Sequence, residues 1–209
     1  ESWLRVGLSI LKSQLDEQFL TDGAQFELSP MYHALALEDL LDLLNLAAAF
    51  PGKVPAPVAE QLRSRANGAI AWLRAMSHPD GEISFFNDAA FGVAPSNEKL
   101  LAYAARLGFT PCSPVSPLTQ LTASGYSRLA AGPAVLLVDH AHVGPDYLPG
   151  HAHADTLSFE LSLFGQRVFV NSGTSEYGES PERLRQRGTA AHNTVVVAGE
   201  NSSEVWGGF

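Results

Sequence analysis

The 209 residues are 45% apolar and carry a net charge of -9, with 22 Asp and Glu against 13 Lys and Arg. Such a chain can bury one or two cores. It has no Lys/Arg cluster of the kind that binds nucleic acid or an anionic membrane, and no apolar run long enough to span a bilayer. Its single cysteine, Cys112, allows no internal disulfide.

Trp3, Leu4, Leu8, Leu11, Leu15 and Phe19 recur at three- and four-residue spacings and predict an amphipathic helix over residues 1 to about 20. Thr21-Asp22-Gly23 breaks it. Ser29-Pro30 marks a second helix start, with Ser as N-cap and Pro at the first helical position, and Leu35 to Leu44 carry that helix to about Phe50. Pro51-Gly52 ends it. A third helix is expected from about Val58 to Met76 and a fourth from about Asn97 to Leu107, stopped by Gly108. From Thr110 the composition changes, with three prolines at 111, 114 and 117, as in a linker. Strand-forming runs follow at 125–130, 134–139, 156–164, 167–171 and 192–198. The fold class is therefore α+β: a helical part over 1–109, a linker over 110–118 and an antiparallel β part over 119–209. Glu1 is not a start methionine and Val205-Trp-Gly-Gly-Phe209 stops in strand-like sequence, so a piece of a longer protein is expected, and the lack of a leader says nothing about export.

Polar chemistry is densest from Pro149 to Thr174. His151 and His153, two residues apart, share a face if extended, and Asp155 continues it. From Thr156 the chain reads as a half-buried strand, with Leu157, Phe159, Leu161 and Leu163 on the inner face and Ser158, Glu160 and Ser162 on the outer. Gly165-Gln166 then turns into a second strand. The histidines would sit at the mouth of that hairpin, although an ordinary loop rich in His and Gly has the same local pattern.

Two other groups of residues compete with this one. Glu27, Tyr32 and His33 gather at the second helix start, where the helix dipole favours anions and suits a proton-transferring phenol; alternatively Tyr32 packs under the helix and His33 is solvated. His192, in Arg187-Gly-Thr-Ala-Ala-His192, combined with His151 and His153, could bind zinc, or the same histidines could move protons. No serine occupies a Gly-x-Ser-x-Gly elbow, so serine nucleophile chemistry has little support. Tyr177 could reach the cleft or be an exposed loop residue, and Arg187 could grip a carboxylate or pair with Glu179 or Glu182. His140 and His142 read as structural or solvated, and Trp3, Trp72 and Phe85 as core.

Glu27-Leu-Ser-Pro-Met-Tyr-His33, Gly150-His-Ala-His-Ala-Asp155, Asn171-Ser-Gly-Thr174 and Ala191-His-Asn-Thr-Val195 together resemble the heparinase II/III family of polysaccharide lyases, which includes alginate lyases. The motifs are spread over residues 22 to 209 in the family's order. The resemblance implies the last helices of an (α/α) toroid followed by the start of an antiparallel β-sandwich, and cleavage of a uronic-acid polysaccharide by β-elimination in a bacterial periplasmic or secreted setting. It implies Tyr32 and His151 as catalytic acid and base, without deciding which does which, and an acidic polysaccharide or oligosaccharide as partner. His33, Tyr177 and Arg187 are candidate substrate-binding residues. His153 and His192 match positions that hold zinc in relatives; the third position, an aspartate there, is Asn171 here, a poorer ligand. The Asn-His pair that neutralises the substrate carboxylate in the family has no counterpart before Asp22, so this stretch alone is expected to be inactive. A homodimer is left open. Two other readings stand beside the lyase: a glycan-binding module without turnover, and a zinc hydrolase built on His151, His153 and His192.

Overall fold

The computed structural model describes residues 2–110 and 115–208. Of the expected linker, residues 111–114, Cys112 among them, lie outside the described residues. Four α-helices come first: α1 (Ser2–Gln18), α2 (Pro30–Ala49), α3 (Ala56–Ala75) and α4 (Asn97–Arg106). The start of α2 follows its sequence signals, with Pro30 at its first turn and the Ser29 hydroxyl accepting the Tyr32 N–H at 3.2 Å. Helices α2 and α3 pack through Leu37, Leu41, Leu62, Ala66 and Leu73, all buried, with Leu15 of α1 and Leu100 of α4 in the same cluster. The loop after α1 crosses α3 so closely that a Cβ on Gly23, which has a φ of +95°, would lie 2.3 Å from the Gly68 carbonyl oxygen.

A five-stranded antiparallel meander follows in the order β1 (Leu118–Leu121), β2 (Tyr126–Ala131), β3 (Ala134–Asp139), β4 (Phe159–Leu163) and β5 (Gln166–Phe169). Phe164 and Gly165, both at positive φ, make the two-residue β4–β5 turn. Helices and sheet share a second cluster in which Trp72 of α3 and Met76, which caps its end, meet Phe86, Tyr126 and Leu137. Three polar ties cross the same boundary. Trp72 Nε1 donates to Ser124 Oγ at 3.0 Å, the Asp22 carboxylate accepts the Ser124 N–H at 2.8 Å, and the Tyr126 hydroxyl donates to the Leu28 carbonyl at 2.8 Å. The last of these holds the backbone immediately before α2 against the sheet.

Several expectations from the sequence are corrected. In β4 the buried face carries Glu160 and Ser162, while Phe159, Leu161 and Leu163 are half-buried. The reason is His78, which follows α3: its Nε2 lies 2.6 Å from Glu160 and its Nδ1 2.7 Å from Ser162, in an environment closed to solvent. Glu160 uses its other oxygen to accept the Asn171 N–H at 2.7 Å. The strand begins only at Phe159, because Asp155 to Ser158 form a turn with Leu157 at φ 65°. The expected strand over 192–198 is absent, replaced by irregular backbone after a 3-10 turn at Thr189–Ala191 and a single bridge between Val197 and Glu200. Trp3 is 88% exposed rather than core. Strand β1 and a short helix α5 (Pro181–Arg187), capped by Ser180, were not anticipated. Among the described residues no helix is long and apolar enough to cross a membrane.

Candidate active site

Tyr32 lies in the first turn of α2, and His151 in the loop between β3 and β4. The Ser29 cap and Pro30 set the helix start, and the loop brings the imidazole over the phenol, so the two rings stack with centroids 3.9 Å apart and 28° between planes. The Tyr32 and Tyr177 hydroxyls are hydrogen-bonded at 3.1 Å. Burial raises the Tyr32 phenol above its ordinary value, against the opposing effect of the Tyr177 bond. Tyr177 is raised further, by burial and then by Tyr32, while the Arg183 guanidinium lies 5.1 Å from its ring centre.

His151 has a carboxylate near each ring nitrogen and is hydrogen-bonded through Nδ1. Nδ1 is 2.9 Å from Asp88 Oδ2, and Nε2 is 3.3 Å from Glu27 Oε2. Its carbonyl accepts the Asp88 N–H at 3.0 Å. Glu27 is in turn fastened by Gln25, whose side chain accepts the Glu27 N–H and donates to its carboxylate. His153 turns to the same centre: its Nε2 is 2.7 Å from Asp88 Oδ1, and its backbone N–H donates to Asn87 Oδ1 at 3.0 Å. The expectation that His151 and His153 share a face is met, though by a loop around a carboxylate rather than by a strand.

Asp88 is the hub. Fully buried, it accepts hydrogen bonds from both histidines, from Thr174 Oγ1 at 2.7 Å and from both terminal nitrogens of Arg183, which is also buried. Burial pushes its carboxyl up, but the bonds from His151, His153 and Arg183 outweigh that and hold it far below the usual carboxylate range. Asn87, at φ 57°, shapes the turn that aims it, with its N–H on the buried Asp155 carboxylate at 3.0 Å. Burial, partly countered by His153 and the Asn87 bond, raises the Asp155 pKa.

Two expected substrate-binding residues are corrected. His33 is in the core, accepting the Gln25 N–H at Nδ1 (3.1 Å) and bonding the Ala69 carbonyl through Nε2 (2.9 Å), because the next position after Tyr32 on the helix faces inward. Burial lowers its pKa to about 4. Arg187 is also buried, with Nε on the Ala152 carbonyl at 3.0 Å and Nη1 on the Trp206 carbonyl at 3.1 Å, so it braces the backbone of the histidine loop. Its expected partners are elsewhere: Glu182 pairs with Arg185. Tyr177, the third of the set, stands beside the Tyr32 and His151 rings.

The heparinase II/III N-terminus model matches residues 1–106, and the heparinase II/III-like C-terminal model matches residues 113–209. The chain belongs to the heparinase II/III family. Among curated members it is 26% identical to a heparin-sulfate lyase of Pedobacter heparinus and 27% identical to one of Bacteroides stercoris, over 95% and 96% of this chain. It spans about a third of the length of these relatives, 32% of each. Its backbone superposes on a crystal structure of heparinase III with a TM-score of 0.79 at 22% identity, covering 96% of this chain and 36% of that one. On the heparan sulfate lyase HepC of Pedobacter heparinus the TM-score is 0.71 at 21% identity, with 96% and 34% covered.

The three positions of this heparinase II/III chain matched to zinc, His153, Asn171 and His192, bring unequal donors. His153 Nδ1 and His192 Nε2 face each other at 3.3 Å, and burial followed by the nearby His153 lowers the His192 pKa to about 3, so this ring is a neutral donor. Asn171, however, brings a neutral amide whose oxygen already accepts the Asn193 N–H at 3.1 Å. Among the described residues no group of three or more His, Cys, Asp or Glu side chains is arranged to hold a metal ion. Two imidazoles and an engaged amide fall short of the four-donor set of a structural zinc, and no step is routed through a metal.

Asp88 and Arg183 are the site residues that sequence reasoning missed. Asn87-Asp88 reads locally as an ordinary turn and Arg183 as one of several charged residues between 179 and 187, so no local signal marks either.

Proposed function

We propose that this chain supplies the Tyr and His half of the active site of a polysaccharide lyase that cleaves a uronic-acid-containing acidic glycan of the heparan sulfate class by β-elimination. The observation that carries the reading is the stacking of Tyr32 on His151 over a buried, arginine-paired Asp88, within a heparinase II/III chain whose curated relatives are heparin-sulfate lyases. In the elimination a base removes the C5 proton of the uronate, the C4–O bond to the departing sugar breaks as the C4–C5 double bond forms, and an acid returns a proton to the departing oxygen. Tyr32 and His151, whose rings stack, would carry those two transfers. Tyr177, hydrogen-bonded to the Tyr32 hydroxyl, would stabilise that oxygen when it carries charge. Arg183 and Arg187 are committed to Asp88 and to backbone carbonyls, so neutralisation of the substrate carboxylate would fall to the remainder of the parent protein. In this reading the helices belong to an (α/α) toroid and the meander opens a β-sandwich, in a bacterial protein acting in the periplasm or outside the cell.

The test is ultraviolet absorbance of the complete parent protein incubated with heparan sulfate, alginate, hyaluronan and bacterial exopolysaccharides, beside Tyr32→Phe and His151→Ala. The expected result is a rise from unsaturated uronate on at least one polymer, lost in both variants. Binding without any rise would point to a glycan-binding module. Cleavage without the absorbance, and with stoichiometric metal, would point to a hydrolase.

A further inference from the structure

We propose that Asp88 is the positioning residue of the site: its carboxylate fixes the His151 ring with a proton on Nδ1, and its backbone anchors the turn that launches the Tyr32 helix. The catalytic consequence rests on the lyase reading, but the geometry stands without it. A carboxylate is only an acceptor, so a ring nitrogen hydrogen-bonded to it must be an N–H. Nδ1 of His151 at 2.9 Å and Nε2 of His153 at 2.7 Å are such nitrogens. Nε2 of His151 lies 3.3 Å from Glu27 Oε2 with no hydrogen bond between them, so the neutral ring keeps its lone pair on Nε2. His153 keeps its lone pair on Nδ1, which accepts from His192 Nε2.

The main chain of the same residue joins the two catalytic candidates. The Asp88 N–H donates to the His151 carbonyl at 3.0 Å, and the Asp88 carbonyl accepts the Ser29 hydroxyl at 2.5 Å. That hydroxyl is also the cap that receives the Tyr32 N–H. One residue thus sets the separation of phenol and imidazole. Arg183 explains how a carboxylate is tolerated here: as a buried double partner it offsets the charge of Asp88, so the acceptor that orients His151 adds no net negative charge of its own.

The experiment uses the complete protein labelled with 15N-histidine, with the His151 resonance identified by its absence in His151→Ala. At a pH where the ring is neutral, His151 should carry its proton on Nδ1. In Asp88→Asn the amide can donate to the ring, so the proton should move to Nε2, and kcat on the cleaved polymer should fall by about 10²- to 10⁴-fold with KM little changed. A wild-type His151 protonated at Nε2, or an Asp88→Asn enzyme that keeps its kcat, would overturn the proposal. If Asp88→Asn does not fold, the wild-type tautomer alone decides. If wild type gives no absorbance rise on any polymer the lyase reading fails, and the tautomer still tests the positioning role.

Discussion

Lowering the pH from 7.5 to 5 should cost about 2 kcal/mol of stability through His33 alone. In the folded protein burial holds this ring near a pKa of about 4, against an ordinary value of 6.5. The unfolded chain therefore takes up a proton below about pH 6.5, while the native ring, donating to Ala69 and accepting from Gln25, stays neutral until near pH 4. The stabilisation is complete above the unfolded value and is lost as pH falls towards the folded one. At pH 5 the unfolded histidine is almost wholly charged and the native one roughly a tenth charged, which gives the figure above. Urea unfolding followed by tryptophan fluorescence at both pH values, in wild type and His33→Gln, measures it. Glutamine keeps a donor for the Ala69 carbonyl and does not titrate, so the variant should start about 1–3 kcal/mol less stable at pH 7.5 because the buried Gln25 N–H loses its acceptor. It should then lose about 2 kcal/mol less than wild type on acidification. His192, lowered to about 3, acts in the same direction in both proteins and cancels in the comparison. Equal losses in the two proteins would refute the assignment to His33.

Three further outcomes follow from the packing. Glu160→Gln puts an amide N–H against either the Asn171 N–H or the His78 ring in a fully closed environment, and should lower stability by about 1–3 kcal/mol in thermal melts. Gly173→Ala adds a Cβ 2.5 Å from the Ala89 carbonyl at a φ of +67°, one residue before the threonine on Asp88, and should cost about 1–3 kcal/mol and reduce turnover; an unchanged melting temperature would show that the segment yields easily. Asn171→Asp puts a carboxylate at the third of the positions matched to zinc, with His153 and His192, and should raise zinc affinity, read as metal bound per chain by elemental analysis after dialysis against zinc; no gain over wild type would mean these three positions do not bind a cation together.

Much of the helical part was legible because its signals are local. Ser29-Pro30, the leucine spacing and Pro51-Gly52 specify where α2 starts and stops through capping and backbone sterics, which act within a few residues. The strands at 126–131 and 134–139 followed from short apolar runs between turn residues. The strand expected over 192–198 failed because Val195, Val196 and Val197 have β propensity and no neighbouring strand here to supply hydrogen bonds, so the segment stays irregular. The inner face of β4 failed for a different reason. Alternation identifies two faces but not which one is buried, and His78, about eighty residues earlier, selects the polar one.

The sequence by itself thus determined the helix start that carries Tyr32, the pairing of His151 with His153 and, through four spaced motifs, the family. Only the tertiary structure decided which side chains meet: it buried His33 and Arg187, brought Tyr177 onto Tyr32, and made Asp88 the common partner of His151, His153, Thr174 and Arg183. The physical reason is that a buried carboxylate is stable only where several distant donors converge on it. Such convergence belongs to chain packing and leaves no periodic or local trace in the residues on either side of Asp88.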